Sequence, residues 1–78
     1  MSAMNSRDSL ARNLRRLRSS RGLSQEALAL EVGIDRTYVS AIERSKYSAS
    51  MDVIDRLAQA LGVKPHELLL PPPASQDN

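Results

Sequence analysis

Apolar residues recur along this chain with the period of a helix, and no stretch alternates with the period of a strand. From Ser9, the positions Leu10, Leu14 and Leu17 share one face while Arg12, Arg15 and Arg16 turn elsewhere. That pattern predicts a first helix ending near Gly22. The next stretch, LSQEALALEVGIDRTYVSAIE from Leu23 to Glu43, predicts two short helices. Ser24 and Asp35 are suited to cap them, because a side-chain oxygen accepts from the free N–H groups of a first turn. Leu23 with Leu28, and Ile34 with Val39, have the spacing of a hydrophobic staple across each cap. The second helix is expected at about Gln25 to Val32 and the third at about Arg36 to Arg44, with Gly33 in the turn between them.

A polar link, Ser45 to Ala49, precedes a fourth helix capped by Ser50. Its expected buried stripe is Met51, Ile54, Leu57, Ala58 and Leu61, and Gly62 stops it. Pro65 opens a short fifth helix with Leu68 and Leu69 facing inward. The predicted class is all-α, a compact five-helix domain over residues 8–70. Residues 1–7 are expected to be flexible. The tail 71–78, PPPASQDN, is expected to be disordered, since it cannot continue a helix and holds little apolar surface.

Two capped helices around a glycine turn form a helix-turn-helix pattern, whose second helix can enter a DNA major groove. On a wheel of about 100° per residue, Val39 and Ile42 of the third helix point to the core. Arg36, Thr37, Ser40, Ala41 and Arg44 fall on the opposite half. That face is small and polar in the middle, with a guanidinium towards each end. Small residues allow close approach, Arg can donate to the O6 and N7 of guanine, and Thr offers a hydroxyl and a methyl. Tyr38 lies near the core boundary.

Charge adds less than its distribution. The 78 residues carry a net charge of +2. Residues 1–22 hold six Arg and one Asp, which is +5, and the remainder is −3. The N-terminal cluster is read equally well as a solvated helix face or as a basic patch. There is no cysteine, which excludes disulfides, thiolate metal sites and a Cys nucleophile. The start has no apolar leader, and nowhere do about 18 apolar residues run together. A soluble, cytoplasmic protein without membrane contact is expected.

LSQEALALEVGIDRTYVSAIER followed by LAQALGVKPHELL resembles the DNA-binding domain of the phage repressor and Cro family, also called the xenobiotic-response-element type. The resemblance covers roughly residues 8–70. The DRTYVSAIER stretch is also similar to the controller proteins of restriction–modification systems, small stand-alone dimers of that family.

The resemblance implies a repressor-like fold and roles for matching positions. Arg36, Thr37, Ser40 and Ala41 would face bases, and Arg44 would run along the backbone and also reach a base. Gln25, Lys46, Tyr47 and Ser50 would meet phosphate. Arg18 would pair with Glu43, tying the first helix to the third. Three positions depart from the family pattern. Ser45 stands where Gly is usual, and a left-handed Ser costs about a kcal/mol more than Gly, so the link is expected to take another shape. Ala49 stands where Pro is common. Leu30 is an apolar residue on the outer face of the second helix, read as a stray exposed side chain or as a protein contact.

The function expected is a sequence-specific double-stranded DNA-binding transcriptional regulator. One reading helix spans about half a turn of DNA, so a homodimer on two half-sites is expected. Helices four and five, with Val53 and Leu70, are the expected interface. The rival reading is a protein-interaction or antitoxin-like module that binds DNA secondarily. A missing Arg36 or an acidic third helix would favour it, and neither is seen. An enzyme is not expected: one His and no Cys leave few catalytic constellations, and Asp52 and Asp55 suit a helix start. No cofactor, metal or small-molecule ligand is implied. Two Tyr without Phe or Trp make no stacking platform for single strands.

Overall fold

The computed structural model describes residues 5–72. The four residues before them and residues 73–78, which include most of the expected tail, lie outside the described residues. Five helices follow in order: α1 (Ser6–Ser20), α2 (Gln25–Val32), α3 (Arg36–Glu43), α4 (Met51–Leu61) and α5 (Pro65–Leu69). α1 packs on α3 and α5, α2 on α3 and α4, and α4 on α5. Leu14, Leu28, Val39, Ile42, Leu57 and Leu68 are fully enclosed where these helices meet. The described residues contain no strand.

The helix starts follow the caps. Ser24 Oγ accepts from the Ala27 amide at 2.9 Å, Asp35 Oδ1 from the Thr37 amide at 2.8 Å, and Ser50 Oγ from the Val53 amide at 3.2 Å. Leu23 and Ile34, the residues before the first two caps, pack against the core. α1 begins three residues before the periodicity predicts, because Asn5 accepts from the Asp8 amide at 2.9 Å and caps it. That first turn is polar, so no apolar recurrence marks it.

Three helix ends share one construction. Gly22, Gly33 and Gly62 take positive φ after α1, α2 and α4. Behind each, the amide of Leu23, Ile34 or Val63 bonds back to the carbonyl of Arg18, Ala29 or Ala58. All three apolar residues pack against the core. α3 ends the same way with different residues. Ser45 has φ +57°, its amide bonds Ile42, and the Lys46 amide bonds Ala41. The link therefore keeps the left-handed cap that a Ser there had been expected to avoid. The backbone bonds of a Schellman end outweigh the cost of the side chain. Lys46, exposed where the others are apolar, leaves that end facing solvent.

An expected core position and an expected surface position exchange on α4. Met51 is 72% exposed, while Val53 is buried in the core. The stripe of α4 runs along Val53, Leu57 and Leu61, with Ile54 and Ala58 beside it. Met51, at the first helical position, overhangs its start. Val53 is thus unavailable to a partner, unlike Leu70, which is 53% exposed.

Asn13 shows another use of the core. It lies within the apolar line of α1 and is buried. Its Nδ2 donates to the carbonyls of Leu68 and Leu70 at 2.9 and 2.6 Å, and more distantly to Glu67. It thus holds the end of α5, whose carbonyls have no helical partner.

Ser45→Gly is expected to stabilise the domain by about 1 kcal/mol, since glycine takes positive φ without steric cost. In a domain of this size that raises the melting temperature by about 4–8 °C, measurable by circular dichroism. An unchanged or lower value would show that Ser45 is unstrained.

Candidate nucleic-acid interface

The outer surface of α3 is set by what its inner surface must do. Val39 and Ile42 are fully buried, and Glu43 is 3% exposed. Arg36, Thr37 and Arg44 consequently lie on the outside, with Ser40 and Ala41 half-buried between them. The middle of that face, Thr37, Ser40 and Ala41, carries nothing larger than a hydroxyethyl group, so the backbone itself can approach a groove.

Glu43 is held from three elements. Arg18 Nε donates to Oε2 at 2.6 Å and Nη2 to Oε1 at 3.0 Å, a two-pronged pair with little solvent access. This bond raises the Arg18 guanidinium above its ordinary pKa, although burial opposes it. Arg18 Nη1 also donates to the Leu23 carbonyl at 2.8 Å. Gln25 Nε2 donates to Oε1 of the same carboxylate at 3.0 Å, and Arg15 Nη2 to the Glu43 carbonyl at 2.7 Å. The end of α1, the start of α2 and the end of α3 thus converge on one residue.

The structure therefore brings Arg18 and Glu43 together. It places Gln25 beside them, in a contact that no local pattern in the sequence marks. The Gln25 amide is anchored on one N–H and keeps a second one. Arg44 folds back, its Nε donating to the Ser40 carbonyl at 3.3 Å, while Lys46 stays exposed. Tyr47 is half-exposed, and its ring meets Tyr38 edge-on at 4.7 Å between centroids and 84° between planes. This contact braces the link against α3. Ser50 is exposed and spends its hydroxyl oxygen on the α4 cap.

The basic cluster of the first helix is largely turned to internal use. Arg7 donates to Ser48 at 3.0 Å, Arg16 to Asn13 at 3.1 Å and Arg21 to the Ala60 carbonyl at 2.6 Å. With Arg15 and Arg18, five of its six arginines bridge to other residues. The open choice between a solvated face and a basic patch resolves into neither: most of these side chains are struts. A polar residue inside an apolar line, as Asn13 is, was the sequence signal for one of them. The others join residues far apart in the chain and leave no local signal.

Asp35 begins α3. Its Oδ1 accepts from both the amide and the hydroxyl of Thr37, the latter at 2.7 Å. The Thr37 hydroxyl, then its amide, hold the Asp35 carboxyl below its usual range.

Two capped helices locked at a fixed angle, with a small polar outer face on the second, define a helix-turn-helix DNA-binding protein. The chain belongs to the helix-turn-helix family, whose model matches residues 14–68. A hypothetical transcription factor of Neisseria meningitidis is 51% identical over 63 residues, covering 81% of this chain and 59% of that protein. The chain therefore spans less than two thirds of that relative's length. A crystal structure of a hypothetical transcription factor from Neisseria superposes with a TM-score of 0.84 at 41% identity, covering 99% of this chain and 94% of that one. The restriction–modification controller protein C.AhdI from Aeromonas hydrophila gives 0.76 at 44% identity, covering 80% and 94%. The family is a regulatory DNA-binding family and not an enzyme family. No helix among the described residues is long and apolar enough to cross a membrane.

Glu43→Ala would leave the half-buried Arg18 guanidinium without its partner and Gln25 without its acceptor. Breaking such a pair costs about 3–5 kcal/mol, much of the stability of a small domain. Urea denaturation measures it. A loss below about 1 kcal/mol would mean that solvent replaces the pair.

Proposed function

We propose that this regulator reads double-stranded DNA by laying α3 in the major groove. Arg36, Thr37, Ser40 and Ala41 face the base edges, and Arg44 lies at the groove margin. The observation that carries this reading is the division of α3: one half is locked by Val39, Ile42 and Glu43, and the other is small, polar and cationic. Arg36 is exposed at the first helical position, where it can extend beyond the helix end to a guanine.

Phosphates position the unit. The second N–H of Gln25 points the amide at an acceptor, and Lys46, Tyr47 and Ser50 line the link beyond α3. The N–H groups opening α4 favour an anion. Arg44, folded onto Ser40, suits the backbone better than a base. Arg18 and Glu43 make no DNA contact in this reading; they orient the groups that do.

The protein acts in the cytoplasm as a homodimer on two half-sites about one helical turn apart. Met51 and Leu70, the exposed apolar residues of α4 and the end of α5, suit that interface. It needs no cofactor and catalyses no reaction. The likeness to C.AhdI, a restriction–modification controller protein, supports a related controlling role.

Selection of bound duplexes from a random pool supplies the operator. On that operator Arg36→Ala should cost about 1–3 kcal/mol and relax the preference at one base pair. Gln25→Ala and Lys46→Ala should weaken cognate and non-cognate duplexes alike. Equal weakening of both duplexes by Arg36→Ala would remove its base-reading role.

A further inference from the structure

Thr37 occupies the centre of the proposed reading face, and the donating part of its hydrogen-bonding capacity is already spent. A threonine hydroxyl has one hydrogen to donate and two lone pairs to accept with. In this structure Thr37 Oγ1 lies 2.7 Å from Asp35 Oδ1. An ionised carboxylate can only accept, so the hydrogen of this bond belongs to Thr37. The same Oδ1 accepts the Thr37 amide at 2.8 Å. Two bonds from one residue to one oxygen fix the χ1 angle, and with it the direction of both the hydroxyl lone pairs and the methyl. The depressed pKa of Asp35 keeps that acceptor ionised through the neutral range.

Beside Thr37 lies an open groove of about 400 Å³ lined by Asp35, Thr37, Tyr38, Ala41 and Tyr47. Tyr38 and Tyr47 close it with two rings packed edge to face. Its walls offer a methyl, a methyl-bearing backbone and aromatic carbon, which suit an apolar group that projects from a base edge. In the major groove the only such group is the C5 methyl of thymine.

We propose that Asp35 converts Thr37 into a pure acceptor, so that Thr37 selects an A·T base pair and rejects guanine. The free lone pair of Oγ1 takes a hydrogen from the adenine N6 amino group. The thymine methyl of the same pair enters the groove between Thr37, Ala41 and the tyrosines. Guanine presents only acceptors, O6 and N7, to this side of the groove, and an acceptor facing an acceptor gains nothing. Cytosine has an amino donor but no methyl. This inference rests on α3 being the reading helix, and it adds which base one of its residues takes.

The test is the selection of bound duplexes from a random pool by the wild-type chain, Thr37→Val, Thr37→Ser, Asp35→Gly and Arg36→Ala. The wild type should require A·T at one position of each half-site that differs from the Arg36 position. Thr37→Val, which keeps the shape and loses the acceptor, should reduce the preference for A·T over G·C there by about tenfold. Thr37→Ser should keep the adenine preference, and binding by it should respond little when uracil replaces thymine at that position. The wild type should weaken severalfold on the uracil duplex. Asp35→Gly frees the hydroxyl hydrogen and should admit guanine at the same position. Its folding is secure enough to test, because glycine replaces a capping residue at a cost of only a few tenths of a kcal/mol.

If the position that responds to Thr37→Val is a G·C pair in the wild-type operator, the acceptor assignment is overturned. If Arg36→Ala changes a position and no Thr37 variant does, the inference fails while α3 remains the reading helix. If none of these variants changes any position, the reading-helix account itself fails and the inference falls with it.

Discussion

The Arg18–Glu43 pair is the constraint on which the rest of the structure turns. A carboxylate at the inner end of α3 is expensive to bury unless every lone pair is met. Here Arg18 meets it with two N–H groups and Gln25 with a third. The same guanidinium holds the Leu23 carbonyl, directly before the α2 cap. A single buried charge thus sets the positions of α1, α2 and α3 together. The apolar contacts of Leu14, Leu28, Val39 and Ile42 bring the helices into contact, but such contacts are non-directional. The ion pair adds direction, and a reading helix needs a fixed rotation about its axis.

The first helix has the same logic. Its arginines form a local excess of positive charge, which invites the expectation of a DNA-facing patch. In the fold they reach across to Ser48, to the Glu43 carbonyl, to Asn13 and to the Ala60 carbonyl. Arg7 and Arg15 brace the two ends of the segment that leaves α3, and Arg21 meets the end of α4. A chain with few residues to bury uses long cationic side chains as cross-braces, where a larger domain would use a wider core. In the proposed mode of binding the DNA-facing charge is instead that of Arg36, Arg44 and Lys46, which are exposed and spread thinly along one edge. Asp35 sits among them without spoiling the surface, because its oxygen is occupied by the first turn of α3.

The helices themselves were largely legible in the sequence. Ser24, Asp35 and Ser50 marked starts, Gly33 and Gly62 marked ends, and the staples Leu23 and Ile34 lay where the spacing placed them. These are local signals, carried within one or two turns. What local signals cannot carry was misread or missed. Ser45 adopts a conformation its own preference disfavours, because the closing bonds come from Ile42 and Ala41. Met51 and Val53 exchange exposure because their burial depends on which neighbour covers α4. Gln25 meets Glu43 across 18 residues of chain. The outer face of α3 was readable from a wheel, but the partner of Glu43 came only from resemblance to a family.

The central claim is that this ion pair orients the reading helix, beyond any part it has in stability. The most direct measurement replaces both charges together by apolar residues of similar size, Arg18→Met with Glu43→Leu. Such exchanges are often neutral for stability, so folding and orientation can be separated. Urea denaturation and the Kd for the selected operator should be measured on the same paired variant. The account predicts stability within about 1 kcal/mol of wild type and an affinity lower by at least about tenfold, or 1.4 kcal/mol. A variant that is as stable as wild type and binds the operator equally well would contradict it.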